Sequence, residues 1–231
     1  MTQDLPLRFD QPVTLVGDGA FDRAMLEEAR ELGPTVIAAD GAADRLAALG
    51  VRPAVAIGDL DSIGAEGRAA AGRVVKIDEQ DTTDFEKCLH ATRAPLYLAV
   101  GFTGRRLDHT LAALHALLAR PEARVVLVGE AEAMAMAPPR VTLRLDLTPR
   151  ARVSVFPLRP VTGRSIGLRW PLDGIALAPG VAIATSNEAS DGAVELRFDG
   201  PGALVMLERA WLETLAEVIG AVPPGATADR A

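Results

Sequence analysis

Ala54-Val55-Ala56-Ile57-Gly58-Asp59-Leu60-Asp61-Ser62 is an apolar run that ends in a glycine and two spaced aspartates. Four apolar residues in succession, closed by a turn signal, read as a strand covered on both faces, which loses the usual in–out alternation. In an open parallel sheet, ligands bind beyond the carboxyl ends of the strands. Asp59 and Asp61 stand at such an end. Taken as extended chain, residues two apart point the same way, so both carboxylates face one cation. Gly58 then leaves room for a ligand beside the backbone. The bland alternative is an Asx-turn into the helix after Ser62. Downstream the acids continue with Asp78, Glu79, Asp81 and Asp84. Carboxylates crowded onto one surface repel one another, and such clusters suit a hard cation such as Mg²⁺, which in turn holds phosphates.

Outward from this stretch, the first half alternates short β-rich runs with helical patterns. Strands are predicted over 13–16, 35–38, 54–57, 74–77, 96–100 and 125–128, and helices over 21–32, 43–49, 65–71, 83–92 and 107–119. This alternation predicts an α/β domain, residues 10–135, built on an open, mostly parallel, Rossmann-like sheet with flanking helices. Thr82 or Thr83 is the expected N-cap of the fourth helix, with Glu86 close behind. After about Glu130 the pattern changes. Prolines recur, and short alternating runs at 141–147, 152–156, 181–185, 194–198 and 203–207 are separated by Asp-Gly and Pro-Gly turns. This predicts an all-β domain, residues 138–222, of sandwich or jelly-roll type. A last helix is expected over 211–219, and the tail from Pro223 is expected to fray.

Composition narrows the function classes. With 49% hydrophobic residues the chain can bury a sizeable core, and a net charge of -7 argues against non-specific nucleic-acid binding. It does not argue against a nucleotide, since acids bind phosphate through metal. Cys88 is the single cysteine, so no intramolecular disulfide forms. The first dozen residues lack a basic segment followed by an apolar one, and no apolar run reaches the roughly 18 residues of a spanning helix. A soluble cytoplasmic protein without a membrane partner is the expectation.

Three more strand ends carry chemistry. Asp40-Gly41 follows the run 36–39, where Asp40 also reads as a helix cap. Gln80-Asp81-Thr82-Thr83-Asp84 leads into a helix whose first turn favours anions, with Lys87 sharing the Asp84 face. Read blandly, this is a capped surface helix with an ion pair. Gly101-Phe102-Thr103-Gly104-Arg105-Arg106-Leu107-Asp108-His109 puts glycines after a strand and arginines at a helix start, which suits a phosphate contact, with Asp108 orienting an arginine or touching a metal. No Walker A pattern occurs. Four acidic or arginine-bearing loops on the ligand side of one predicted sheet are poorly explained by coincidence.

Taken in order, these motifs resemble the thiamine pyrophosphokinase family: ADGAADRL, IGDLDS, QDTTDFEKCL and GFTGRRLDHTLAAL, then SVFPL, GLRWPL and ATSNEAS in the β-rich half. The similarity covers most of residues 13–207. Ala42, Arg105 and Ala113 depart from the residues usual in the family. The resemblance implies a homodimer with its site near the interface, and transfer of a pyrophosphoryl group from ATP to the hydroxyl of thiamine. It implies Mg²⁺ on Asp59, Asp61 and Asp84, with Asp40 and Asp81 nearby, and Gln80 and Thr83 positioning phosphates or substrate. Arg106 and Asp108 would lie on the ATP side, with Arg106, and Lys87 beside it in role, offsetting phosphate charge. Trp170 would stack on a thiamine ring, and Ser186 and Asn187 would meet thiamine's polar edge.

Two other classes compete. A Mg²⁺-dependent phosphohydrolase also places a DxD after a strand, but its first aspartate follows the apolar run directly, whereas here Gly58 intervenes. A nucleotide- or thiamine-binding sensor would bind both ligands without turnover, and has less need of an acidic cluster.

Overall fold

The computed structural model describes residues 5–222. The tail from Pro223, expected to fray, lies outside them. The described residues divide into two compact units, one reaching to Ala116 and including Leu127–Glu130, the other made of Leu117–Val126 and the described residues from Ala131.

The first unit runs β1 (Leu7–Arg8), β2 (Val13–Val16), α1 (Arg23–Leu32), β3 (Thr35–Ala39), α2 (Ala42–Ala48), β4 (Val55–Gly58), α3 (Ala65–Ala70), β5 (Val74–Lys76), α4 (Asp84–Ala91), β6 (Thr92–Arg93), β7 (Tyr97–Val100) and the greater part of α5 (Leu107–Ala119). β8 (Val125–Val128) has its residues divided between the two units. It is thus an α/β unit. β2 pairs with β7, β3 with β4, β4 with β5, and the short β1 with β6, all in parallel. β2 and β3 meet through a bridge, Val13 to Pro34, and a bond that Thr14 Oγ1 donates to the Gly33 carbonyl at 2.7 Å. β2, β4, β7 and β8 are buried at every position, as continuous apolar runs require. Asp22 caps α1 by accepting from Met25 N–H, and Met25, Leu26 and Ala29 face the core. Thr83, not Thr82, caps α4, and with Glu86 it forms a capping box that satisfies two otherwise open N–H groups.

Parallel strands bring their carboxyl ends to one side, so the loops after β2, β3, β4, β5 and β7 gather there. Glycines let two of these loops touch backbone to backbone. Gly17 N–H donates to Val100 O at 2.8 Å and Gly19 N–H to Gly101 O at 2.7 Å. A Cβ on Gly101 would lie 2.4 Å from Gly17 O, at a φ of +78°.

The second unit holds two antiparallel sheets, with strand orders β14-β11-β16-β9 and β10-β15-β12-β13. Its strands are β9 (Glu132–Met136), β10 (Thr142–Asp146), β11 (Arg152–Pro157), β12 (Val161–Ile166), β13 (Ala176–Leu177), β14 (Ala184–Glu188), β15 (Ala193–Phe198) and β16 (Ala203–Glu208), followed by a 3₁₀ turn (Arg209–Trp211) and α6 (Leu212–Gly220). α6 lays Leu212, Leu215, Ala216 and Ile219 on the core. β9 and β12 were not anticipated. β9 buries only Ala133 and Ala135 and so lacks the β-branched and aromatic enrichment of a strand, whereas β12 carries Val161, Thr162 and Ile166 but is interrupted by Gly163 at a buried position. The run expected at 181–185 begins instead at Ala184. The preceding residues turn, with Val181 N–H and Ala182 N–H both donating to Ala178 O, and this leaves Val181 exposed. Among the described residues no helix is long and apolar enough to cross a membrane.

Gly101→Ala combines a disfavoured φ with a backbone clash. It is expected to destabilise the fold by about 2 kcal/mol or more, seen as a lowered Tm in thermal unfolding.

Candidate active site

Ligand atoms of Asp40, Asp59 and Asp61 all lie within 4.8 Å of one another. They come from the ends of two neighbouring strands, Asp40 after β3 and the pair after β4. Gly58 is what brings them together, since a Cβ there would sit 2.7 Å from Asp40 Cβ. The glycine therefore admits the Asp40 side chain, where the sequence suggested a ligand. Leu60 between the two aspartates has a φ of +68°, so the pair is not extended chain. The acids converge through a tight turn in which Asp61 N–H donates to Asp59 Oδ1 at 3.3 Å. An Asx-type turn and a convergent acidic pair are here the same structure.

Asp40 is 2% exposed and does not cap α2, whose N-cap is Gly41 without a side-chain bond. Its Oδ2 accepts from Ser62 N–H at 3.2 Å, and its Oδ1 has no hydrogen-bond partner. Burial pushes this carboxyl up to about 6, against the Ser62 N–H bond and with repulsion from Asp84 and Asp59 added. A buried acceptor without a partner is costly. An ion coordinated by oxygen would satisfy it, and Mg²⁺ takes carboxylate oxygens such as these, completing its shell with water and phosphate.

Lys87 organises the other side. Its side chain is 3% exposed, and Nζ donates to Asp59 Oδ2 at 2.9 Å and to Asp84 Oδ1 at 3.4 Å. The bond from Lys87 holds Asp59 well below the usual carboxylate range. Burial raises Asp84 and Lys87 only partly offsets it. Burial alone would lower Lys87, but its two carboxylate partners outweigh that and leave it raised. The i,i+3 pair of Asp84 and Lys87 thus joins a buried ammonium to a half-exposed carboxylate, and is not a simple surface pair. Gln80 Nε2 donates to Asp59 Oδ2 at 3.1 Å, which steadies the same carboxylate. Asp81 stands apart: Glu79 accepts from Asp81 N–H, Thr82 N–H and Thr82 Oγ1, folding the loop and leaving the Asp81 carboxylate exposed.

These groups line a cleft of about 600 Å³ that Asp40, Asp59, Gln80, Thr83, Asp84 and Lys87 share with the Gly17–Gly19 and Gly101–Arg106 loops. Phe85 and Phe102, which the sequence did not single out, meet there with ring centroids 4.4 Å apart. Arg106 lines the cleft while its guanidinium forks onto Asp108, at 3.1 and 2.6 Å. That bond raises Arg106 and lowers Asp108.

In the second unit, Asn187 is buried and its amide is committed to the protein. Oδ1 accepts from Trp170 N–H at 3.2 Å, and Nδ2 donates to Trp170 O at 2.7 Å. This fixes the chain beneath a half-exposed Trp170 ring, over which the Arg169 guanidinium lies at 4.6 Å. Ser186 has a φ of +58° and its N–H donates to Ser154 Oγ at 2.9 Å.

Asp40 titrates above its unfolded value, so the folded state binds the extra proton. Its contribution is then a destabilisation, absent below about pH 4 and growing as pH rises through about 6. In chelator, Asp40→Asn is therefore expected to gain stability over the parent across that window, by roughly 3 kcal/mol at most. Thermal unfolding from pH 4 to 8 checks it.

Two family profiles match this chain: the thiamin pyrophosphokinase catalytic domain over residues 26–127, and the thiamin pyrophosphokinase vitamin B1 binding domain over residues 140–201. Thiamin pyrophosphokinase 1 of Caenorhabditis elegans is 27% identical over 160 residues, covering 63% of this chain. Thiamine pyrophosphokinase 3 of Oryza sativa subsp. japonica is 27% identical over 155 residues, covering 59% of it. The match spans 66% and 58% of those two relatives' own lengths. The fold is that of the thiamin pyrophosphokinase of Candida albicans, at a TM-score of 0.74 and 12% identity, covering 86% of this chain and 89% of that one. With both profiles matched in order, the chain belongs to the thiamin pyrophosphokinase family.

Proposed function

We propose that this chain is a thiamine diphosphokinase, moving a pyrophosphoryl group from ATP to the hydroxyl of thiamine and releasing AMP. The observation that carries the reading is the unpartnered Oδ1 of buried Asp40, set among clustered carboxylates in a cleft that also presents arginine. The hydroxyl oxygen attacks the β-phosphorus, the bond from that phosphorus to the oxygen bridging it to the α-phosphate breaks, and the hydroxyl proton leaves. Such transfer asks the protein chiefly to position groups and neutralise charge.

Asp40, Asp59 and Asp61 would hold Mg²⁺, with Asp84 beside them. The ion, when bound, supplies positive charge that the β- and γ-phosphate oxygens otherwise lack. Lys87 and Gln80 keep Asp59 ionised and oriented. Asp84, raised by burial and within reach of Lys87, is suited to accept the hydroxyl proton, and Asp61 is the alternative acceptor. Thr83 holds the start of α4, so that its open N–H groups and dipole favour the anion. Arg106, oriented by Asp108, faces the ATP side. Trp170 offers an aromatic face to a thiamine ring, carried by a segment that Asn187 pins, and Ser186 stands next to it in sequence. We further propose that the α/β unit is an open Rossmann-like sheet and the β-rich unit a sandwich of jelly-roll type. The protein is proposed to act in the cytoplasm as a homodimer with its site near the interface.

The decisive experiment follows nucleotide products from Mg·ATP with and without thiamine. AMP that depends on thiamine, with thiamine diphosphate seen by mass, is expected. ADP or phosphate release indifferent to thiamine would favour a hydrolase, and tight binding of both ligands without turnover a sensor. Asp59→Asn is expected to lower kcat/KM about 100-fold, or roughly 3 kcal/mol of transition-state stabilisation. Asp78→Asn, at an exposed acid paired with Lys76, should change it a few-fold at most. Equal losses would remove Asp59 from the metal site. Trp170→Ala is expected to raise KM for thiamine while leaving KM for ATP within about twofold.

A further inference from the structure

Three arginines cluster where the β2 and β7 loops meet, and they differ in what already holds them. Arg106 is neutralised by its fork on Asp108. Arg45 is largely committed: it donates to the carbonyls of Asp18, Gly19 and Phe21, lies 3.6 Å from the Asp18 carboxylate, and its guanidinium stacks over the Phe21 ring at 3.8 Å. Arg105 makes one bond, from Nη1 to Asp18 O at 3.1 Å, and among the described residues no carboxylate lies within 4.0 Å of it. A guanidinium carries five N–H donors, so most of Arg105's remain open. Unlike Arg45, it lines the cleft.

The backbone departs from ordinary geometry to put it there. Gly104 and Arg105 are both left-handed, at φ +73° and +56°, and Arg106 N–H turns back onto Gly104 O at 2.6 Å. A bulky residue in that region is strained and persists only where its surroundings fix it. Here they do so through the Asp18 carbonyl, on a loop locked to Gly101 through Gly19. The result is a tethered cation with open donors in the same cleft as the carboxylate cluster. A forked, always-charged donor of this kind matches the oxygens of a phosphate chain.

We propose that Arg105 is a phosphate-binding residue of this cleft, gripping the polyphosphate chain of the nucleotide. This rests on the nucleotide reading of the cleft given above. The test compares Arg105→Gly, Arg105→Lys and the parent by calorimetric titration with Mg·ATP and, separately, with Mg·tripolyphosphate. Glycine suits the left-handed φ, so Arg105→Gly should melt within a few degrees of the parent, and a loss of binding is then not a loss of folding. The expected result is at least a tenfold weaker Kd for both ligands in Arg105→Gly, by similar factors, with part recovered in Arg105→Lys. Binding of Mg·ATP within twofold of the parent would overturn the proposal, as would loss of Mg·ATP alone with Mg·tripolyphosphate unchanged. Titration does not require transfer. A parent that binds Mg·ATP but makes no thiamine diphosphate would sink the kinase reading and leave Arg105 in place. A productive parent with an indifferent Arg105→Gly would sink only Arg105.

Discussion

A single buried ammonium sets the terms for the acidic cleft. Lys87 is withdrawn from water between Asp59 and Asp84, and a charge so placed is tolerable only while its partners are ionised and close. Losing one partner of such a pair typically costs about 3–5 kcal/mol, so the geometry is held firmly. The constraint reaches back into α4. Asp84 and Lys87 meet because they are three residues apart on one helix, and the helix begins where it does because of the Thr83–Glu86 box. It also reaches forward into chemistry. One cation among four carboxylates satisfies Asp59 and Asp84 and leaves the demand for positive charge on Asp40 and Asp61.

The strand ends that carry these groups are not relaxed. Asp40, Leu60 and Arg105 all have positive φ, at +39°, +68° and +56°, and each follows a different strand of the first unit. Left-handed conformations cost L-residues about 1–2 kcal/mol apiece. They survive because neighbours over-determine them: Asp40 by the space at Gly58 and the Ser62 N–H, Arg105 by the Asp18 carbonyl. Stability is thus spent where side chains must be aimed. The core that offsets it is the set of fully buried runs β2, β4, β7 and β8.

Those runs were also the most legible part of the sequence. β2, β8 and α5 have the bounds that their hydrophobic patterns predict, because burial on both faces, or a long apolar helix, writes itself directly into composition. β9 escaped because Ala133 and Ala135 are small enough to be buried without looking strand-like, and β12 because Gly163 and Arg164 break the run between its β-branched residues. Of the site, the acidic character of the β4 and β5 loops was plain from residue types. The partnership of Asp40 with Asp59 and Asp61 was not, since it depends on an empty space at Gly58 that joins residues from separate strands. Nor could spacing alone separate the exposed carboxylate of Asp81 from the half-buried one of Asp84. The difference lies in how Glu79 folds the intervening turn.

Cys88 is the only thiol in the chain, it is wholly buried, and burial raises it well above its ordinary value. It sits on α4 directly after Lys87, with Sγ 4.0 Å from Ile57 O in the strand that ends at Gly58. A thiol reagent can therefore reach it only when α4 lifts from β4, and the deprotonated form that reacts is formed only on such opening. The native protein thereby carries its own clock for the breathing of its acidic cleft. The rate of alkylation counts openings around the helix that bears Asp84 and Lys87, with no residue changed.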